Sequence, residues 1–190
     1  LLKRGAGSVE PLLSVLREDI GLDHYKDVLR ILVELKDSRA EETFRLALRA
    51  DDEAVRATAA RGLYLLGVFD VLDACIATLN DAPDPLHFDI TPAVQSLCEM
   101  GITALPAILP LLDSADERTR QRAQKVLELV SFKEVSDTVQ PRPLSDHARA
   151  EWSALWRRNG SYQWNAPEAQ RQSATRQWRN WLEERLRNRQ

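Results

Sequence analysis

The side chains best able to do chemistry are thinly spread. His24, His87 and His147 lie in unrelated stretches, so no two of them share the spacing of a metal-ligating or acid–base pair. Asp84, His87 and Asp89 stand together in "DAPDPLHFDITP", where they could in principle touch a metal. Acids beside prolines, however, ordinarily serve as turn residues, and no metal site is assigned. The chain holds no His-Glu-x-x-His pair, no glycine-rich phosphate loop and no Ser/His/Asp order. Cys75 and Cys98 sit in apolar helical patterns, which predicts two buried free thiols in a reducing compartment, not a disulfide or a thiolate site. The expectation is a protein without catalytic residues, metal or cofactor.

Binding chemistry is more concentrated. All five tryptophans, Trp152, Trp156, Trp164, Trp178 and Trp181, fall in the last 39 residues among arginines. Residues 1–141 carry 24 acids against 16 basic residues, a charge of −8, whereas residues 142–190 carry ten arginines against five acids, +5. A basic segment interleaved with aromatics is the pattern of a single-strand nucleic-acid platform. It is equally the pattern of helices that bury indoles on one face and solvate arginines on the other.

Helical spacing decides which elements must hold these residues. Trp152, Leu155 and Trp156 recur at i, i+3 and i+4 on a helix that Ser145 or Asp146 can cap and Gly160 can end. Ala174, Trp178, Trp181, Leu182 and Arg185 repeat that spacing on a last helix beginning near Pro167. Between these two helices, "GSYQWNAP" leaves Tyr162 and Trp164 either folded back as a plug or standing free as a contact.

Upstream the chain repeats. Leu1, Leu32, Leu63, Leu97 and Leu127 are spaced by 31, 31, 34 and 30 residues, and a second ladder, Leu16, Leu48, Leu79 and Leu112, by 32, 31 and 33. Each period holds two helical patterns. Asp52 is placed to cap "DDEAVRATAARGLYLLG", Gly67 to end it, and Leu72, Cys75, Ile76 and Leu79 to face the core from the next helix. Thr91-Pro92 predicts an N-cap and first helical residue, and Pro110 predicts that the helix over 106–112 is short or bent.

On Asp52 and Asp116, on Arg56 and Arg120 four residues later, on the small run Ala57–Ala60, and on Gly67 and Gly101, residues 1–131 resemble HEAT repeats of the short bacterial type also found in phycobiliprotein lyases. The resemblance implies an all-α fold, an α-solenoid of helix pairs whose second helices line the concave side. Tyr25 and Ile90 occupy the aligned arginine position in two units, so an Asp–Arg ladder is incomplete.

The resulting expectation is a repeat stack over 1–131 of four helix pairs and one further helix, a loop over 132–144, and a Trp-rich capping helix pair over 145–190. Trp152, Trp156, Trp178 and Trp181 would close the open end, since terminal units of a stack have an apolar face with no neighbour. Six residues before the second-helix anchors stand Glu10, Glu42, Asp73 and then Pro106, so the first three form an acidic series in register. Such a series would repel phosphate and suits a protein or peptide partner with a basic or extended segment. The expected function is a non-catalytic interaction scaffold, with Glu10, Glu42, Asp73, Tyr162 and Trp164 as partner-binding candidates. Two alternatives remain: a bilin-handling protein, from the lyase resemblance, and a HEAT-like nucleic-acid binder acting through its basic aromatic end. No apolar run approaches the ~20 residues of a membrane helix. A cytoplasmic protein is therefore expected, and "LLKRGAGS" suggests a piece of a longer chain.

Overall fold

A computed structural model describes residues 7–18, 20–68, 70–83, 90–136 and 146–188. Every regular element among them is helical: α1 (Val9–Val15), α2 (Leu22–Leu35), α3 (Glu41–Ala47), α4 (Glu53–Leu65), α5 (Val71–Ala77), α6 (Pro92–Met100), α7 (Leu105–Ile108), α8 (Glu117–Ser136), α9 (Asp146–Arg158) and α10 (Glu168–Arg187). Tight 3-10 turns occupy Ser38–Ala40, Gly101–Ala104 and Leu109–Asp113. The first-ladder Leu1, the stops Pro141 and Pro143, the alternative cap Ser145 and the cluster Asp84, His87 and Asp89 lie outside the described residues.

The chain divides into two compact units, Leu1–Ser96 and Leu97–Gln190. In the first unit α4 is central. It packs against α2, α3 and α5, while α1 packs against α2 and against the turn Ser38–Ala40. Asp52 caps α4 as expected, accepting from the Ala54 and Val55 amides at 2.9 and 3.0 Å. Its second oxygen meets Lys26 Nζ of α2 at 2.8 Å, and that hydrogen bond is the main reason the carboxyl is held below its ordinary pKa. Gly67 ends α4 at φ +72°, the left-handed geometry in which the Val68 amide reaches back to Leu63 O. The Thr91 hydroxyl accepts from the Val94 amide and donates to Leu79 O, so it starts α6 and ties it to the end of α5 at once.

In the second unit, α8 packs against the Gly101–Ala104 turn, α7, the Leu109–Asp113 turn and α9. Pro110 acts as its missing donor dictates: α7 stops after four residues and continues as a 3-10 turn. One boundary differs from expectation. Residues 132–136, assigned to a loop, extend α8 by more than a turn to Ser136. α10 packs on α7 and Leu109–Asp113. One stretch, Pro92–Asp113, is after all long and apolar enough to cross a membrane, contrary to the sequence count. Its side chains at 94, 97, 105, 108, 109 and 112 are buried inside the protein, so they form core.

A local device recurs in α4, α8 and α10. The arginine four residues after each N-cap turns back, and its Nη1 donates to carbonyls just before the helix. Arg56 donates to Ala50 O and Asp51 O at 2.9 and 2.7 Å, Arg120 to Ser114 O and Ala115 O at 2.8 and 2.9 Å, and Arg171 to Ala166 O. Three residues on, Ala59, Ala123 and Ala174 are buried; seven on, so are Leu63, Leu127 and Trp178. Carbonyls ahead of a helix would otherwise be orphaned acceptors, and a charged donor satisfies two of them together.

Candidate functional site

Two regions carry the residues singled out by type and spacing, one in each unit. In the first, Glu10, Glu42 and Asp73 all stand exposed in the opening turns of α1, α3 and α5, where a carboxylate also favours the helix dipole. Glu10 meets Arg39 Nη1 at 3.4 Å, and Arg39 lies in the turn that leads into α3. That contact links α1 to the turn before α3. Leu46 follows Glu42 by one turn on the same face of α3 and is 58% exposed. Leu46 also lines an apolar groove of about 460 Å³ with Leu16, Leu22, Tyr25, Ala50 and Val55. Leu22 is exposed as well. An acid next to an uncovered leucine and a groove forms an amphipathic surface, which sequence spacing alone did not reveal because Leu46 belongs to neither leucine ladder.

In the second unit the aromatic residues come together as a chain of rings. Phe132 to Trp152, Trp152 to Trp156, Trp156 to Trp178 and Trp178 to Trp181 have centroid separations of 6.0, 5.2, 5.1 and 5.2 Å. Trp178 is fully buried and Trp156 nearly so, while Trp152 and Trp181 are half-buried. Trp152 Nε1 donates to Ser131 Oγ at 3.0 Å, fixing α9 on α8. With these rings between them, the backbones of α9 and α10 make little close approach.

The linker between α9 and α10 folds inward. Tyr162 is 1% exposed and its hydroxyl donates to Leu112 O, so it is withdrawn from the partner-binding candidates: no partner can reach it in this state. Trp164 is half-buried; its amide donates to Gln124 Oε1 at 2.8 Å and its carbonyl accepts from Arg120 Nε at 2.9 Å. Gln124 and Arg120 were not expected in this role, because a side chain that clamps a distant backbone leaves no mark in local spacing.

Burial pushes the Tyr162 phenol up to about 12, with Asp113 adding in the same direction and Arg171 and Arg120 opposing. A phenol whose pKa is raised in the folded state lends stability that is complete below its unfolded value near 10 and lost as pH climbs toward 12. Tyr162→Phe strands the Leu112 carbonyl and should cost about 1–3 kcal/mol at neutral pH. It should also flatten the fall in stability between pH 10 and 12. Urea titrations of both proteins across that range check this; parallel curves would contradict it.

His24 and His147 are both exposed and belong to different units; among the described residues their contacts are local, with Ile20 O and Glu151. Cys75 is buried and Cys98 partly buried, and desolvation pushes both thiols up, to about 11 and about 12. Among the described residues, no group of three His, Cys, Asp or Glu side chains is placed to hold a metal. No family model matches the chain, and neither the curated proteins nor the solved structures yield a match.

Proposed function

We propose that the chain is a non-catalytic, HEAT-like helical scaffold that binds a protein partner along the exposed faces of α1, α3 and α5. The finer architecture in this reading is a stack of helix pairs in which α1, α3 and α5 are second helices. The recurring arginine clamp and the in-register burial in α4, α8 and α10 support it. One observation carries the functional part: exposed Glu42 and Leu46 one turn apart on α3, beside the groove, with exposed Glu10 and Asp73 at the same register on the neighbouring second helices. An extended segment with a basic residue and an apolar residue a few positions apart would satisfy both features. Uncovered apolar surface supplies the affinity and the carboxylates supply orientation.

Panning a random peptide display library against the intact protein tests this. Enriched peptides should pair Lys or Arg with Leu, Ile, Phe or Trp. Their binding should fall about tenfold or more in the Glu10→Lys, Glu42→Lys, Asp73→Lys protein, as expected for reversing charges at an interface. Peptides lacking basic residues, or bound equally by the charge-reversed protein, would remove the proposed face.

A further inference from the structure

The α9–α10 pair carries a second site, independent of the acidic face. Two cavities, of about 350 and 520 Å³, open along the groove between these helices, and Arg158 and Trp181 line both. Each volume falls in the range of small-molecule sites. The remaining walls differ: Leu155 and Val135 make the first cavity partly apolar, whereas Gln177 and Asn180 bring carboxamides to the second. Arg158 is exposed and has no hydrogen-bond or ion-pair partner among the described residues, whereas Arg157, Arg171 and Arg185 on the same two helices are engaged. Trp181 is half-buried, with its ring held edge-on by the buried Trp178, so one indole surface is fixed in place at the groove.

We infer that this groove binds a small planar aromatic molecule bearing a single anionic group, with the ring stacked on Trp181 and the anion paired to Arg158. A guanidinium offers a fork of donors matched to a carboxylate or phosphate, and an indole offers a large rigid surface at little entropic cost. The acids limit how much negative charge the site accepts. Glu151 lines the first cavity, two turns before Arg158 on α9, and Glu184 the second, one turn after Trp181 on α10. A ligand with several charges, or a nucleic-acid strand with repeated phosphates, meets these carboxylates as soon as it extends beyond Arg158.

The experiment is calorimetric titration of the intact protein with 1-naphthoate, neutral 1-naphthamide and adenosine monophosphate, repeated with Arg158→Gln and Trp181→Leu. Naphthoate should bind one to one, about tenfold or more tighter than naphthamide, and lose about tenfold with either substitution. The monophosphate should bind more weakly, and a reversed order would assign the anion as phosphate in place of carboxylate. Equal binding of naphthoate and naphthamide would overturn the inference. So would affinity untouched by Arg158→Gln, or no saturable heat from either anion at millimolar concentration. The naphthamide comparison uses the unaltered protein and stands even if Trp181→Leu disturbs the fold.

Discussion

Trp178→Ala should destabilise the second unit by about 3–5 kcal/mol, the range for truncating a large buried aromatic. The indole is fully buried and touches rings on both sides, Trp156 at 5.1 Å and Trp181 at 5.2 Å. Apart from it, α10 buries only Ala174, Thr175 and Leu182, so no other large ring on that helix reaches the core. Removing it therefore leaves a hole that neither small neighbour can fill. The polar side behaves differently: Trp178 Nε1 is buried with no acceptor among the described residues. Trp178→Phe deletes that unpartnered donor while keeping most of the ring, and should cost much less than the alanine change. Urea unfolding followed by far-UV circular dichroism compares the two. An unchanged midpoint for Trp178→Ala would mean that the indoles do not hold α10 in place and serve some other end.

Trp178 also shows where sequence reading succeeded and where it stopped. Its burial follows from helical spacing, and the break in α7 follows from Pro110, because both depend on residues within two turns of one another. That α10 shares the register of α4 and α8 was not legible. Leu63 and Leu127 are 64 residues apart, two ordinary periods, but Trp178 follows Leu127 by 51, and its anchor is an indole in place of leucine. The shared pattern shows in the Arg171 bond to Ala166 O and in the burial of Ala174 and Trp178 three and seven residues on. The acidic series on α1, α3 and α5 was readable as a pattern. The Glu10–Arg39 contact was not, since it depends on how the turn before α3 approaches α1. Tyr162 was undecidable for the same reason: its acceptor lies 50 residues away in sequence.

Gly62→Ala, normally a favourable change inside a helix, should here destabilise the first unit by about 1–2 kcal/mol. Alanine gains about 1 kcal/mol over glycine in a helix interior, and overpacking a well-filled core commonly costs about 1–3 kcal/mol. The geometry decides which wins. A methyl at Gly62 would lie 2.6, 2.7 and 2.8 Å from three carbons of the Phe44 ring, well inside contact distance. That ring is fully buried, so it cannot slide outward without moving α3 against α4. Phe44→Leu should relieve the clash, making the double variant more stable than the sum of the two single changes implies, by a coupling of about 0.5–3 kcal/mol. Thermal or urea unfolding of the four proteins measures this directly, and a stabilised Gly62→Ala would show that the ring has room. The consequence reaches the proposed binding face, because Glu42 and Leu46 flank Phe44 on the same short helix. A displaced Phe44 ring should shift both, so Gly62→Ala ought to weaken the selected peptides in step with its loss of stability, and Phe44→Leu ought to restore part of that binding.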